Sequence, residues 1–239
     1  MKSISVVIPF FNKWELTHSR LYEFHQFIPT KELEIILVDD ASTENGIDSG
    51  VAWWQKHVDR HKIRYVKNKE NLGFGGSMNR GASKAEGDII VLFSNDVIVR
   101  GDFISEIRSA IEKDENALVC GEVVSWAGGW NEIDYLGKRM IIPYANGWLL
   151  ACTKEVWGSL DGFDPIYGKY SFEDIDLSVQ ALFLGYNLVG LYSKFVKHIG
   201  AQTAPYDEKR NAITIQNKEK FISKWSGRLP EIINRLESG

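Results

Sequence analysis

The stretch EIILVDDAST, residues 34–43, is the most informative segment of this 239-residue chain about its fold. Its first part, 34–40, is a short and mostly apolar run that ends in two acids, Asp39 and Asp40. A run of this length predicts a strand buried on both faces, which is typical of a parallel sheet covered by helices. Turn-forming residues follow at once, so we expect the chain to leave the sheet there.

Strands and helices alternate on either side of this stretch. We predict strands at 3–10, 34–40, 63–66, 88–99 (with a polar break) and 117–124. We predict helices at 13–27, 50–60, 73–87 and 102–115, the last with Asp102 as its N-cap. This alternation predicts an α/β fold with a Rossmann-like, mostly parallel central sheet and helices on both faces.

The alternation changes after residue 125. Residues 125–147 are loop-rich and aromatic, and a short helix is expected from Thr153. Short strands are predicted near 187–191 and 194–197, and a helical segment at 206–236 with a break near 226–230. Because the sequence has no repeat, low-complexity tract or clear linker, we expect one domain with a variable second half.

Composition and charge exclude several classes of protein. The chain has 28 basic and 32 acidic residues and a net charge of −4, which argues against binding nucleic acid by bulk charge. The N-terminal apolar run is too short for a signal peptide, and no run approaches the roughly 18 apolar residues of a membrane span. Cys120 and Cys152 are far apart and outside any CxxC pattern. We expect both to be reduced core residues of a cytoplasmic protein.

Four polar groups follow predicted strands, at 9–12, 39–43, 71–81 and 94–96. Because the carboxyl ends of parallel strands meet at one edge of a sheet, we expect these groups to lie close together. Carboxylates there can accept the N–H of a planar heterocycle and the hydroxyls of a ribose, while small residues let the backbone come close. The alternative is that the acids are turn and capping residues and that the glycines only permit close packing.

The glycine-rich segment 73–81 does not match the common phosphate-binding motifs. GFGGSM lacks the last glycine of GxGxxG, and the stretch from Gly76 to Gly81 is followed by Ala82 instead of lysine. We therefore expect neither a dinucleotide-binding fold nor a P-loop.

Asp96, in the segment SND, is a candidate metal ligand. A carboxylate on a strand-end loop can hold Mg²⁺ or Mn²⁺ against a diphosphate, because hard cations prefer oxygen ligands. One acid is few for a metal site, so a second ligand is expected from elsewhere, and His198 just past a short strand is a candidate. A lone histidine after a strand is more often structural, and spacing alone leaves that alternative open.

Three carboxylates, Glu173, Asp174 and Asp176, stand at the head of a predicted apolar helix. Ser171 fits the position of its N-cap. Acids near a helix N-terminus gain roughly 0.3–1 kcal/mol each from the helix dipole, which accounts for one or two of them without any chemistry. The other hypothesis is that one of the three accepts a proton from a substrate.

Seven segments together carry a resemblance to a known family. They are SVVIPFFN, EIILVDDAST, NLGFGGSMNRG, GDIIVLFSNDVIV, NGWLLACTKEVW, DGFDPIYG and FEDIDLSVQA, and they span roughly residues 3–200. In this order and spacing the chain resembles the family 2 glycosyltransferases, inverting enzymes with the GT-A fold that use nucleotide-diphosphate sugars. The resemblance implies a GT-A domain over 1–205, with a nucleotide-sugar-binding half at 1–124 and an acceptor and catalytic half at 125–205. Residues 206–239 would be a helical extension.

The resemblance also implies roles for individual residues. Asp174 matches the catalytic base, and Glu173 would orient it or meet the acceptor. Asp96 matches the last acid of the family's DxD-like motif, with Ser94 and Asn95 where acids can occur, and His198 matches a histidine that completes the metal site, so Mn²⁺ or Mg²⁺ is the implied cofactor. The implied nucleotide-binding residues are Pro9, Phe10, Asn12, Asp39, Asp40, Asn71, Gly73, Asn79 and Asn95.

The function implied by the resemblance is sugar transfer from a UDP-, dTDP- or GDP-sugar to a hydroxyl of a glycan or a lipid-linked saccharide, in bacterial polysaccharide or cell-surface glycan synthesis. The loop 125–147 is expected to shape the acceptor site. The segment 206–239 could pack on the core, pair with a second copy or touch the inner face of a membrane. The alternative is a non-catalytic nucleotide-sugar-binding module of a larger assembly, whereas a nucleotidyltransferase is disfavoured because IPFFNKWEL has no glycine.

Overall fold

The structure, a computed structural model, describes residues 1–29, 33–125, 131–135, 138–200 and 207–231. The strands in chain order are β1 (Ile4–Phe10), β2 (Leu33–Asp39), β3 (His61–Lys67), β4 (Ile89–Phe93), β5 (Val97–Val99), β6 (Ala117–Cys120), β7 (Val123–Val124), β8 (Glu132–Tyr135), β9 (Lys138–Ile141), β10 (Tyr144–Ala145), β11 (Leu149–Thr153), β12 (Asn187–Gly190) and β13 (Val196–His198). The helices are α1 (Trp14–Phe27), α2 (Ile47–His57), α3 (Gly73–Ala82), α4 (Phe103–Lys113), α5 (Lys154–Leu160), α6 (Glu173–Phe183) and α7 (Glu208–Trp225), with a single 3₁₀ turn at Pro165–Tyr167.

Seven strands form the central sheet, in the order β12-β6-β11-β4-β1-β2-β3. Strands β1, β2, β3 and β4 are mutually parallel, and β12 is parallel to β6. Strand β11 is antiparallel to both of its neighbours, β4 and β6. The predicted mostly parallel sheet is therefore confirmed. Its four mutually parallel strands, β1 to β4, come from the part of the sequence in which strands and helices alternate.

Helices cover both faces of the sheet, as predicted. Along β1 and β2 the side chains alternate between two buried clusters, so that Ile8 belongs to one and Val7 to the other. The first cluster contains residues of α1, α2 and α4, and the second contains residues of α3, α5 and α6. This alternation explains why each strand of the parallel half is a continuous apolar run.

The sequence pattern does not predict β11, nor the short strands β8, β9 and β10 within the segment expected to be loop-rich. All five residues of β11 are buried, and both of its edges are paired. A short apolar run directly before a helix gives no periodicity that separates strand from helix, and its antiparallel insertion between β4 and β6 is a tertiary arrangement. The helix predicted from Thr153 is present, with the Thr153 hydroxyl accepting the N–H of Val156 at 3.2 Å.

The prediction of a single strand at 117–124 is wrong, because the chain turns at Gly121. The segment divides into β6 in the main sheet and β7, which pairs with β10. A side chain at residue 121 would approach the Trp148 ring to 1.9 Å, so the indole occupies the space beside the turn. The polar break predicted within 88–99 is present, and the second piece, β5, leaves the main sheet to pair with β13.

The C-terminal helix α7 packs against α6. Phe221, Trp225 and Leu229 join residues of α6 and of the preceding turn in a third buried cluster. The helix ends where the sequence predicts a break, and residues 232–239 lie outside the described residues, as do 126–130 and 136–137 of the loop predicted at 125–147.

Every helix within the described ranges is too short or too polar to cross a lipid bilayer.

Candidate active site

A cavity of about 530 Å³ opens at the carboxyl ends of β1, β2 and β4. Its walls come from all four of the polar groups that follow the predicted strands, together with the start of α6 and residue Arg210 of α7. The shared edge that the sequence predicts is thus present. Of the predicted site residues, ten line this cavity: Pro9, Phe10, Asp40, Asn71, Gly73, Asn95, Asp96, Glu173, Asp174 and His198.

Asp40 organises one end of the cavity. Its Oδ1 accepts hydrogen bonds from the Asn68 side chain at 2.9 Å and from the backbone N–H of Leu72 at 2.7 Å. Its Oδ2 accepts the backbone N–H of Gly73 at 2.9 Å. Because a carboxylate has about four acceptor positions, the Oδ2 atom retains capacity for a ligand donor.

Gly73 has a backbone that only glycine adopts easily, with φ of +76°. A Cβ there would lie 2.6 Å from Cα of Lys169. The glycine therefore lets the loop before α6 approach the start of α3, which closes this end of the cavity.

Three residues predicted to bind nucleotide lie outside the cavity lining, and their polar atoms bond within the protein. The Asn12 Oδ1 accepts the backbone N–H groups of Thr43 at 2.9 Å and Glu44 at 3.1 Å, which ties the β1 loop to the β2 loop. Asp39 is fully buried and accepts the Tyr65 hydroxyl at 2.7 Å. Its other oxygen accepts the backbone N–H of Ser42 at 2.7 Å, which matches the turn-and-capping alternative for Asp39.

Asn79, the third of these residues, joins α3 to the second half of the chain. Its Nδ2 donates to the carbonyl of Phe163 at 2.7 Å, and its Oδ1 accepts the backbone N–H of the same residue at 2.9 Å. The Asn79 amide thus forms two hydrogen bonds with the backbone of Phe163. Asn79 therefore links the two halves of the site and does not face the cavity.

At the other end of the cavity, Asp96 lies beside His198. Pairing of β5 with β13 sets His198 opposite Val97, and the backbone N–H of Ile199 donates to the Asp96 carbonyl at 3.1 Å. The His198 Nε2 is 3.3 Å from Asp96 Oδ1, and the Ser94 hydroxyl donates to the same oxygen at 2.6 Å. The predicted pair of metal ligands is therefore adjacent, although no third Asp, Glu, His or Cys joins them within the described ranges.

The environment of Asp96 favours its ionised form. Burial alone would raise the pKa of this carboxyl, but the hydrogen bonds from His198 and Ser94 outweigh burial and place the pKa below its usual range. A carboxylate oxygen and an imidazole nitrogen suit Mn²⁺ and related divalent ions, so these two residues fit such an ion by chemistry and spacing.

Asp174 is held at the start of α6. Its Oδ2 accepts a hydrogen bond from the backbone N–H of Gly147 at 3.1 Å, and its Oδ1 accepts one from the backbone N–H of Ile175 at 2.9 Å. The N-cap predicted at Ser171 is wrong, because Phe172 occupies the cap position with no side-chain hydrogen bond. Ser171 and Phe172 both have left-handed backbones, with φ of 63° and 75°, and the Ser171 hydroxyl instead contacts Thr214 at 3.0 Å.

Glu173 and Asp174 perturb each other's protonation. Burial is the main cause that raises the pKa of Glu173 to about 8, the Asp174 charge adds to it, and the Arg210 charge opposes it. Burial also raises the pKa of Asp174, against the hydrogen bonds from Gly147 and Ile175. Glu173 Oε2 has no hydrogen-bond partner among the residues that the structure describes. Two carboxyls whose pKa values are displaced inside a cavity are typical of acid–base chemistry.

Asp176, the third acid of this group, has a structural environment. It is 1% exposed, and its carboxylate accepts the hydroxyl of Tyr167 at 2.8 Å and the indole N–H of Trp225 at 2.7 Å. Lys224 of α7 donates to its other oxygen at 2.7 Å. A carboxylate with this many partners joins α6 to α7 and does not face the cavity.

Several further cavity residues are absent from the predicted site residues, among them Trp148, Lys169, Tyr170 and Arg210. The Trp148 indole stacks on the His198 ring with centroids 5.4 Å apart and planes at 12°. The Arg210 guanidinium lies 5.7 Å from the centroid of the Tyr170 ring. Trp148 lies within the segment NGWLLACTKEVW and could have been found there, whereas no local pattern distinguishes Arg210 from the other charged residues of its helix.

The sequence model for glycosyl transferase family 2 matches residues 5–157. A cholesterol galactosyltransferase from Borreliella burgdorferi is 22% identical over 197 residues, which is 81% of this chain and 48% of that relative. The chain thus spans about half the length of this curated relative.

Solved structures show the same architecture. A GalNAc-T7 crystal structure with UDP, GalNAc and Mn²⁺ superposes with a TM-score of 0.72 at 18% identity, covering 93% of this chain and 48% of that one. A mannosyltransferase from Pyrobaculum calidifontis in complex with GDP-Man and Mn²⁺ gives a TM-score of 0.62 at 16% identity, covering all of this chain and 79% of that one.

The fold is therefore the GT-A fold. Because the family model matches more than half of the sequence, the chain belongs to glycosyl transferase family 2.

Proposed function

We propose that this chain is an inverting glycosyltransferase, which moves a sugar from a nucleotide-diphosphate sugar to a hydroxyl of a glycan or lipid-linked acceptor. The observation that carries the proposal is that Asp96 and Asp174, from distant parts of the chain, line one cavity. The dipeptide Gly147–Trp148 connects them, because Gly147 bonds to Asp174 and Trp148 stacks on His198.

Asp174 is the proposed base. As the acceptor oxygen attacks the anomeric carbon, its proton passes to Asp174, and the bond from that carbon to the diphosphate oxygen breaks. Attack from the face opposite the leaving group inverts the configuration. The raised pKa of Asp174 makes it a better proton acceptor than an exposed aspartate. Burial and the Asp174 charge raise the pKa of Glu173, so Glu173 keeps a proton more readily than an exposed glutamate and favours Asp174 as the ionised member of the pair.

The donor is proposed to span the cavity. Asp40, with the Gly73 backbone beside it, would take the nucleoside, and Pro9, Phe10, Asn71 and Asn95 complete that wall. Asp96 and His198 would hold a divalent ion, which when bound offsets the negative charge of the leaving diphosphate. The two solved structures contain UDP or GDP-Man with Mn²⁺, which supports this class of donor and metal. UDP-, dTDP- and GDP-sugars are the proposed donors.

A non-catalytic nucleotide-sugar-binding module is the second candidate. The observation that favours it is the single acid in Ser94–Asp96, since a metal site with one carboxylate is sparse. Both candidates are expected to bind the donor, but only the transferase is expected to turn it over.

The test begins with the whole chain and a panel of UDP-, dTDP- and GDP-sugars, each with Mn²⁺. A donor that binds the native state raises the unfolding temperature. The stabilising donor is then incubated with glycan and lipid-linked acceptors, with Mn²⁺ or with EDTA, and release of the nucleoside diphosphate is measured. We expect release with Mn²⁺ and little with EDTA. Binding without release under any condition would favour the module, and absence of binding by every donor would contradict both candidates.

A further inference from the structure

The two residues before Glu173 have a backbone that must be held in place. Ser171 and Phe172 are consecutive, neither is glycine, and both have positive φ values of 63° and 75°. Residues other than glycine rarely adopt this left-handed backbone conformation, so it persists only where surrounding contacts hold it. The pair sets the direction in which α6 starts, and thereby where Glu173 and Asp174 point.

One side chain of α7, Asn217, contacts the backbone of the segment that contains this pair. Its side chain is fully buried, and Nδ2 lies 2.8 Å from the carbonyl oxygen of Tyr167, 2.6 Å from that of Tyr170 and 3.1 Å from that of Ser171. Its Oδ1 accepts a hydrogen bond from the Lys220 ammonium at 3.0 Å. One amide therefore gathers three carbonyls of the segment that leads into α6.

Helix α7 is anchored by other residues, so loss of the Asn217 amide need not detach it. Phe221 is fully buried and packs on the ring of Phe172 with centroids 5.6 Å apart. Lys224 and Trp225 both donate to the buried carboxylate of Asp176, each at 2.7 Å. These contacts lie beyond Asn217 along the helix and do not involve the three carbonyls.

We propose that Asn217 is a positioning residue for Glu173 and Asp174, acting through the carbonyls of Tyr167, Tyr170 and Ser171. Asn217 does not line the cavity, so it touches neither the donor nor the acceptor. Its buried N–H groups hold the segment 167–171 against α7, which keeps Ser171 and Phe172 in their left-handed conformation. Helix α7 thus helps to position the two acids of the site. This inference rests on the proposed function above.

The test replaces Asn217 by aspartate, which keeps the shape of the side chain but removes both N–H donors. Asn211→Asp is the matched control, because Asn211 is exposed on the same helix and the substitution changes the charge equally. We expect Asn217→Asp to lower kcat at least tenfold at a temperature where circular dichroism shows native protein. The affinity for the nucleoside diphosphate should change less than threefold, since the hydrogen bonds of Asp40 come from residues outside α7.

Hydrogen exchange supplies a readout that does not depend on turnover. In Asn217→Asp, peptides covering 168–178 should exchange faster, while peptides from α7 keep their wild-type rates and Asn211→Asp changes neither. Equal loss of protection in both regions, or no change in either, would overturn the proposal. If the aspartate variant does not fold, Asn217→Ser, whose side chain is too short to reach the carbonyls, is measured in the same way. A chain that turns over no donor would contradict the proposed function, while the exchange rates would still decide the role of Asn217.

Discussion

Gly147 donates its backbone N–H to the Asp174 carboxylate at 3.1 Å. The next residue, Trp148, stacks on His198, which in turn lies 3.3 Å from Asp96. Two consecutive residues of the turn directly before β11 therefore contact both ends of the proposed reaction centre. Strand β11 follows at once and pairs with β4 and β6, so the central sheet holds one end of this turn.

The first prediction concerns the base. Asp174→Asn keeps the shape of the side chain but cannot accept the acceptor proton, so transfer should fall roughly 10²–10⁴-fold. The affinity for the nucleoside diphosphate, measured by calorimetry, should stay near that of the wild type. Asp161→Asn is the control, because Asp161 is exposed and asparagine tolerates its left-handed backbone (φ 55°). Transfer by Asp174→Asn at the wild-type rate would refute the assignment.

The second prediction concerns the metal ligands. Asp96→Asn removes the carboxylate that the described residues place at this end of the cavity, and we expect the affinity for Mn²⁺ to fall by roughly tenfold or more. Titration followed by the electron paramagnetic resonance of free Mn²⁺, in the presence of nucleoside diphosphate, measures the change without turnover. The exposed Asp59 provides the same substitution outside the cavity, and Asp59→Asn should leave Mn²⁺ binding intact. Equal affinities for all three proteins would place the ion elsewhere.

The third prediction is a change in pH dependence. The Arg210 charge lowers the proton affinity of Glu173, so Arg210→Gln should raise the pH at which the Glu173–Asp174 pair releases its protons. Tyr167 from the 3₁₀ turn lies close enough for the Glu173 charge to affect it. The other titratable side chains that line the cavity are those of Asp40, Asp96, Tyr144, Lys169, Tyr170 and His198. The acidic limb of the kcat/KM profile should move upward by roughly one pH unit.

Two variants control this result. Arg210→Lys keeps the positive charge and should retain the wild-type acidic limb. Lys209→Gln removes one charge from an exposed neighbouring position, so the net charge falls equally without a change at the cavity. An acidic limb that moves to the same extent in Lys209→Gln would mean that net charge, and not the location of Arg210, determines the profile.

The fourth prediction uses the glycine at the nucleoside end. In Gly73→Ala the new Cβ would lie 2.6 Å from Cα of Lys169 and would strain a φ of +76°. We expect weaker binding of the nucleoside diphosphate by roughly tenfold and a loss of about 1–3 kcal/mol in the free energy of unfolding. Gly185→Ala separates the two causes, because Gly185 has φ of +85° but a Cβ added there would have no atom within 4 Å. That variant should lose stability and keep nucleotide affinity.

The fifth prediction concerns stability at acid pH, far from the cavity. Burial is the main cause that lowers the pKa of His61 to about 4, and the nearby charges of Arg60 and His25 add to it. In the unfolded chain histidine binds its proton near pH 6.5, so the unfolded state takes up this proton first as the pH falls. The contribution of His61 to stability is thus constant above about pH 6.5 and declines between pH 6.5 and 4, by roughly 3 kcal/mol in all.

Urea unfolding of the wild type and of His61→Leu at pH 7.5, 6 and 5 measures this effect. The difference in the free energy of unfolding between the two proteins should change progressively in favour of the variant below pH 6.5. A difference that stays constant across the range would show that His61 keeps its ordinary pKa in the folded protein.

The predicted site residues differ in how well the sequence located them. Asp40, Asp96 and Asp174 follow strand ends or start a helix, and the parallel-sheet rule places such positions at one edge. Asn12, Asp39 and Asn79 occupy similar positions along the chain, but their partners, such as Thr43, Tyr65 and Phe163, consume their polar atoms. Whether a polar side chain faces a cavity or a neighbouring loop depends on partners that are distant in sequence, which no local pattern records.

Local sequence patterns were enough to predict the α/β class, most of the first half of the sheet, the helices on both of its faces and the edge where the polar groups meet. Apolar runs and turn residues act within a few positions along the chain, so their consequences are visible in one dimension. No local pattern indicated the antiparallel insertion of β11 or the arrival of Arg210 and Asn217 from α7, and the approach of His198 to Asp96 was implied by the family resemblance alone. These arrangements depend on which surfaces bury one another, and that choice is made by packing between segments that are far apart in the chain.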